Sequence, residues 1–223
     1  MIDFAEARRM MVDGQVRTAD VIDYRLLGAL LEVPRERFVP PAKQAIAYLD
    51  IDIAVSEASS TGPARCLLKC MVLARMIQAA GIRETDHVLD VGCATGYSSA
   101  VLARLADSVV AIEEDSGLAA SAARTLGSLG VNNVMLKPAA LTGGLRSEGP
   151  YDVILLNGST EIVPEALIRQ LKDGGRLVCI QGSGPSGKAT LYQMTGGNVT
   201  GHAIFDAAAP LLPGFVKPRE FVF

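Results

Sequence analysis

From residue 87 onward the chain alternates short apolar runs with helical stretches, and this rhythm leaves few folds open to it. Runs rich in Val, Leu and Ile fall at 87–91, 108–112, 133–136, 151–156 and 176–180, with helix-like segments at 95–105, 118–129 and 164–171 between them. Such short β-branched runs between helices belong to a parallel sheet covered on both faces. Two further strand-like pieces, 189–194 and 199–205, are joined through Gly196 and Gly197, a pair suited to a hairpin turn. Ahead of residue 87 the pattern is helical, at 3–13, 20–31 and 67–80, and Pro34, Pro40 and Pro41 punctuate a loop around Phe38 and Val39. The expected fold class is therefore α/β: a parallel sheet with an N-terminal helical cap and a C-terminal antiparallel hairpin. We read residues 1–223 as a single domain, with the cap in 1–85 and the α/β core in 86–223.

Composition narrows the function. With 49% hydrophobic and 20% charged residues, the 223-residue chain can bury a full core and is not disordered. A net charge of -3 argues against non-specific grip on nucleic acid or on an anionic membrane. No apolar run reaches the roughly 18 residues that span a bilayer, and Asp3 and Glu6 stand where a secretion signal would be apolar, so a cytoplasmic location is expected. Cys66, Cys70, Cys93 and Cys179 are too few and scattered for a disulfide scaffold. Cys66 and Cys70 would share one helical face, but His87 and His202 are the only histidines, so no metal site is expected.

The chemical signal lies in VLDVGCATGYSSA (residues 88–100). A strand ends at Asp90, a tight loop carries Gly92, Cys93, Ala94 and Gly96, and a helix opens with Tyr97 and Ser98. Glycines let backbone approach a ligand closely, and a helix start offers free N–H groups. The spacing is G-x-x-x-G, with Ala94 where a nicotinamide fingerprint would put a middle glycine. Glu113 follows 21 positions after Gly92, at the tip of the next run. A carboxylate about 20 residues on can accept both ribose hydroxyls of an adenosine. Glu113, Glu114 and Asp115 also suit the entry to a helix. Neither the loop nor the acid alone separates a nicotinamide enzyme from a methyltransferase.

The D-x-G-x-x-x-G-Y pattern with its acidic strand end resembles the first motifs of Rossmann-like class I S-adenosylmethionine methyltransferases. Across nearly the whole chain, the order of motifs is similar to the protein-L-isoaspartate O-methyltransferase family, in a divergent bacterial branch. The matching segments are MVDGQVRTADVIDYRLLGALLEVPRERFVP (11–40), AYLDIDI (47–53), VLARMI (72–77), YDVILLNG (151–158), PEALIRQLKDGGRLV (164–178) and FDAAAPLLPGF (205–215). The resemblance implies S-adenosylmethionine as cofactor and an isoaspartyl-containing peptide or protein as methyl acceptor. It implies cofactor contacts from Asp90, Gly92, Cys93, Ala94, Gly96, Tyr97, Ser98, Glu113, Glu114, Ala140 and Asn157, and places the acceptor-side segment within 1–85.

Two departures stand out. The family's T-I-S-x-P segment aligns with Cys66, Leu67, Leu68, Lys69 and Cys70, so the acceptor-side hydroxyl is absent. Its acidic turn after the third strand aligns with KPAAL (137–141), where Ala139 and Ala140 leave no acid for the adenine amino group. Arg65 and Lys69 flank the altered segment as charges able to attract an acidic acceptor, and with Cys66 and Leu68 they are the acceptor-side candidates. Carboxyl methylation needs little acid–base apparatus, because a carboxylate with an ordinary pKa of about 4 is already ionised at pH 7. If the missing hydroxyl made one neutral hydrogen bond, its loss is worth ~0.5–1.5 kcal/mol, about tenfold in rate. Three readings remain open on the sequence: an isoaspartyl carboxyl methyltransferase, a methyltransferase of this fold with another acceptor, and a non-catalytic cofactor-binding protein.

Overall fold

A computed structural model describes residues 2–58 and 63–218. Helix α1 (Phe4–Met11) begins on Asp3, whose carboxylate accepts from the Ala5 and Glu6 amides, and it runs into a wider turn at Val12–Val16. Helix α2 (Tyr24–Glu32) begins on Asp23 in the same way and buries Leu26, Leu27, Ala29 and Leu30. It stops at Val33, where the following Pro34 disfavours helical backbone. Strands β1 (Ile53–Ala54) and β2 (Cys66–Leu67) form a small antiparallel ladder. Helix α3 (Cys70–Ala80) closes on Gly81 in the left-handed region, at φ +57°.

The core follows as β3 (His87–Val91), α4 (Tyr97–Leu102), β4 (Ser108–Glu113), α5 (Ser116–Ser128), β5 (Val134–Pro138), β6 (Tyr151–Thr160), α6 (Glu165–Ile168), β7 (Leu171–Gln181), β8 (Lys188–Thr195) and β9 (Asn198–Asp206). The main sheet has the order β5-β4-β3-β6-β7-β8-β9, parallel from β5 to β7 and antiparallel through β8 and β9. Gly196 and Gly197, at φ +56° and +80°, make the β8–β9 turn. Strand alternation sorts the buried side chains into two layers. Val88, Val153, Leu155, Val178 and Ile180 pack with α3, α4 and the cap, whereas Leu89, Val91, Ile154, Leu156 and Leu177 pack with Leu141, Leu167, Leu212 and Phe215. Burial on both faces explains why these strands read as continuous apolar runs.

Several boundaries differ from the sequence reading; the strands expected at 151–156 and 176–180 extend over Tyr151–Thr160 and Leu171–Gln181. The stretch 67–80 is helical only from Cys70, because Cys66 and Leu67 pair with Ala54 and Ile53, so Cys66 and Cys70 do not share a helical face. The helix expected over 164–171 is confined to Glu165–Ile168. There the Gln170 carbonyl accepts the Tyr151 amide at 2.8 Å and Leu171 pairs with Tyr151, so sheet pairing takes the backbone that a longer helix would need. Likewise α4 begins at Tyr97, two residues later than expected, after a loop held in left-handed backbone.

Candidate functional site

Strand order reverses between β3 and β6, and in open α/β sheets ligands sit beyond the strand tips at such a point. The β3–α4 loop turns there through Gly92 (φ +72°), Ala94 (φ +51°) and Gly96 (φ +92°). Ala94 holds a conformation that usually selects glycine, and its amide donates to Glu113 Oε2 at 2.8 Å. The strain thus lies where the loop is tied to the neighbouring strand tip. At Gly92 a Cβ would lie 2.7 Å from Arg65 Nη2 and 3.2 Å from Leu212, so a side chain there would have to push the guanidinium aside and hold a backbone conformation that favours glycine.

Two carboxylates are fully buried here. Asp90 Oδ2 accepts from the Ser98 and Ser99 hydroxyls at 2.8 and 2.6 Å, and Oδ1 accepts from the Asn157 amide. Burial, with a smaller push from the Glu113 charge, raises the Asp90 carboxyl to about 6 against the pull of those three hydrogen bonds. Glu113 Oε1 accepts from the Glu114 and Asp115 amides at 3.0 and 3.2 Å. Glu113 Oε2 accepts from Ala94 and from Arg65 Nη2 at 3.1 Å. Glu113 therefore does serve the turn into α5, where Asp115 caps the helix, as well as facing the loop.

The structure gathers Cys66, Leu68, Gly92, Cys93, Ala94, Tyr97, Ser98 and Asn157 around one crevice, and the space left among them is about 10 Å³. Gly96 stands behind it, close to Ala122 and Leu126. Arg65, expected as a charge able to attract an acidic acceptor, is buried against Glu113 and the Gly92 carbonyl. Lys69 is half-buried and its amide donates to Asp52 at 2.8 Å. Burial raises the thiols of Cys66 and, more strongly, Cys93, so both stay protonated at neutral pH. Glu114 and Ala140 are exposed; Glu114 contributes its amide to Glu113, and Leu141 instead of Ala140 reaches the loop, 3.4 Å from a Cβ on Gly92. His202 is exposed on β9, and His87 is bonded to Ser108 and the Glu148 carbonyl at the opposite end of β3.

Sequence reasoning missed the clamp beneath the crevice. Arg35 is fully buried, with Nε on the Ala47 carbonyl at 2.9 Å and Nη2 on the Leu68 carbonyl at 2.7 Å, and its guanidinium carbon lies 4.6 Å from the Tyr97 ring centre. Thr95 Oγ1 donates to the Phe38 carbonyl at 2.5 Å, and the Phe38 ring packs edge-on to Tyr97. The cap loop thereby fixes both the glycine loop and the Leu68 segment. Its sequence signals were the proline punctuation and the family-like VPRERFVP stretch (33–40), neither of which showed that Arg35 is buried. Leu212 was also missed; the chain after β9 returns to β6, where Ser159 and Pro210–Leu212 exchange backbone hydrogen bonds and Leu212 packs on Gly158.

Comparison with known proteins agrees with this architecture. Two solved structures share the fold: a protein-L-isoaspartate O-methyltransferase (TM-score 0.80, 24% identity, 93% of this chain and 66% of that one) and a Plasmodium falciparum protein described as a protein-L-isoaspartate O-methyltransferase, in complex with S-adenosyl-L-homocysteine (TM-score 0.77, 16% identity, 95% and 99%). Relatives named protein-L-isoaspartate O-methyltransferase include those of Roseiflexus castenholzii, 34% identical over 98% of both chains, and Methylorubrum extorquens, 38% identical over 86% of this chain and 81% of that one. The sequence model for protein-L-isoaspartate (D-aspartate) O-methyltransferase matches residues 7–202, from the cap through the glycine loop and the buried acids into β9. With cap, loop and sheet all inside that match, the chain belongs to the protein-L-isoaspartate O-methyltransferase family.

Proposed function

We propose that the chain transfers the methyl group of S-adenosylmethionine to the carboxylate of isoaspartyl residues in proteins. The observation that carries this reading is the loop-to-acid tie at the strand reversal, Ala94 amide to buried Glu113, inside the span of the family match. The donor set fits the cofactor. Gly92 leaves backbone open to close approach, Glu113 presents a carboxylate at the second strand tip, and Leu141 and Leu212 offer apolar surface where the family's acidic turn is missing. Arg65 now holds an acceptor position on Glu113 and one on the Gly92 carbonyl.

When bound, S-adenosylmethionine supplies an electrophilic sulfonium methyl. The acceptor carboxylate attacks it unaided: the O–CH3 bond forms, the C–S bond breaks with its electron pair left on sulfur, and no proton moves. That suits a crevice whose histidines lie elsewhere. The chain's part is alignment and exclusion of water. Asp90, through Ser98, Ser99 and Asn157, locks the loop to β6. Leu67 and Leu68 form a dry wall held by Arg35. We place the protein in a reducing compartment such as the cytoplasm, where its four free thiols persist.

The test is transfer of tritiated methyl from S-adenosylmethionine to an isoaspartyl peptide, scored as base-labile methyl ester against the same peptide with ordinary aspartate. The expected result is label on the isoaspartyl peptide alone. Label on both peptides favours a broader carboxyl acceptor, a reading to which the apolar Leu68 lends itself. No base-labile label on either peptide contradicts the proposal.

A further inference from the structure

One buried ion pair beside the crevice is made by a side chain that the reaction does not use. Arg65 Nη2 donates to Glu113 Oε2 at 3.1 Å and to the Gly92 carbonyl at 3.0 Å, and both side chains are buried. An ionised carboxylate offers about four acceptor positions. In Glu113 three are taken by the amides of Ala94, Glu114 and Asp115, and the fourth by Arg65. The amides are fixed by the loop and by the turn into α5. Among the described residues, Arg65 is thus the one partner of Glu113 able to leave without unfolding the backbone.

The same guanidinium fills the room that Gly92 keeps open, as its 2.7 Å approach to a Cβ at that position shows; the neighbouring crevice, lined by Cys66, Gly92 and Asn157 but not by Arg65, holds about 10 Å³. That is space for about one water molecule, not for a nucleoside. The fit is also imperfect, since Arg65 Nε is buried with no hydrogen-bond partner among the described residues.

We propose that Arg65 is a displaceable occupant of the ribose position, so that the adenosine ligand and the Arg65 guanidinium compete for Glu113 and the Gly92 carbonyl. This rests on the cofactor reading above and adds to it a built-in brake on cofactor binding. A ligand that binds only the open arrangement has its affinity reduced by the fraction of chains that are open. Removing the occupant raises affinity by the inverse of that fraction.

Calorimetric titration of S-adenosylhomocysteine into wild type, Arg65→Ala and Arg65→Gln tests this without turnover. Both variants are expected to bind at least tenfold more tightly than wild type. Equal or weaker binding by the variants overturns the brake and leaves the cofactor reading standing. No binding by wild type or by either variant overturns both. If the variants fail to fold, phenylglyoxal modification of Arg65 in the wild-type chain, mapped by mass spectrometry, decides. It should increase severalfold at saturating S-adenosylhomocysteine, and unchanged or reduced modification overturns the proposal.

Discussion

Asp90 and Glu113 sit at the tips of adjacent strands and are treated differently by their surroundings. Glu113 is met by three amides and a guanidinium, all donors to its charge. Asp90 is met by two hydroxyls and an amide, neutral groups that do not offset its burial, and its carboxyl is raised from 3.8 to about 6. The folded chain therefore holds the Asp90 proton more tightly than the unfolded chain does. The resulting stabilisation is complete below pH 3.8 and is lost as pH rises through about 6. At neutral pH the buried charge costs on the order of 3 kcal/mol. Asp90→Asn removes that titration, and Ser98 and Ser99 can turn their hydroxyls to suit an amide. Urea denaturation at pH 4 and pH 7.5 should show the stability of the variant, relative to wild type, rising by up to ~3 kcal/mol between the two. A difference independent of pH would mean that Asp90 is not the titrating group.

At the scale of elements, the segment from β2 into α3 carries one of the two departures from the family pattern read in the sequence. Leu68 stands between β2 and α3 with its side chain buried and its carbonyl held by Arg35. Leu68→Ser restores the family hydroxyl at a dry position. Loss of the buried leucine should lower stability by ~2–4 kcal/mol in chemical denaturation. Methylation of isoaspartyl peptide should be retained or raised, since the smaller side chain leaves access open. Activity falling to background while the variant stays folded would show that the crevice wall itself orients the acceptor. The sequence located this segment but not its shape. Periodicity favoured a helix from residue 67, and the β1–β2 ladder that prevents it depends on Ile53 and Ala54, distant in the chain. The buried arginines were hidden for a related reason. Arginine is ordinarily exposed, and Arg65 meets its carboxylate 48 positions away while Arg35 meets the Leu68 carbonyl 33 positions away.

At the scale of the molecule, the parallel core was legible because each strand is apolar on both faces and each helix between strands is short. The glycine loop and Glu113 were legible because their relation is one of spacing along the chain. What the sequence could not convey is how the cap and the C-terminal return close over them, through Arg35, Arg65 and Leu212. All of it converges on one claim, that the tips of β3 and β4 hold the adenosine of the methyl donor. Titration of S-adenosylhomocysteine into nitrogen-15-labelled protein, followed by amide resonances, tests this most directly. Saturable shifts should be largest at Gly92, Ala94, Glu114 and Asp115, with the Arg65 side-chain signal moving in step. Shifts that saturate elsewhere, such as along β8 and β9, or no saturable shift at all, would contradict the account.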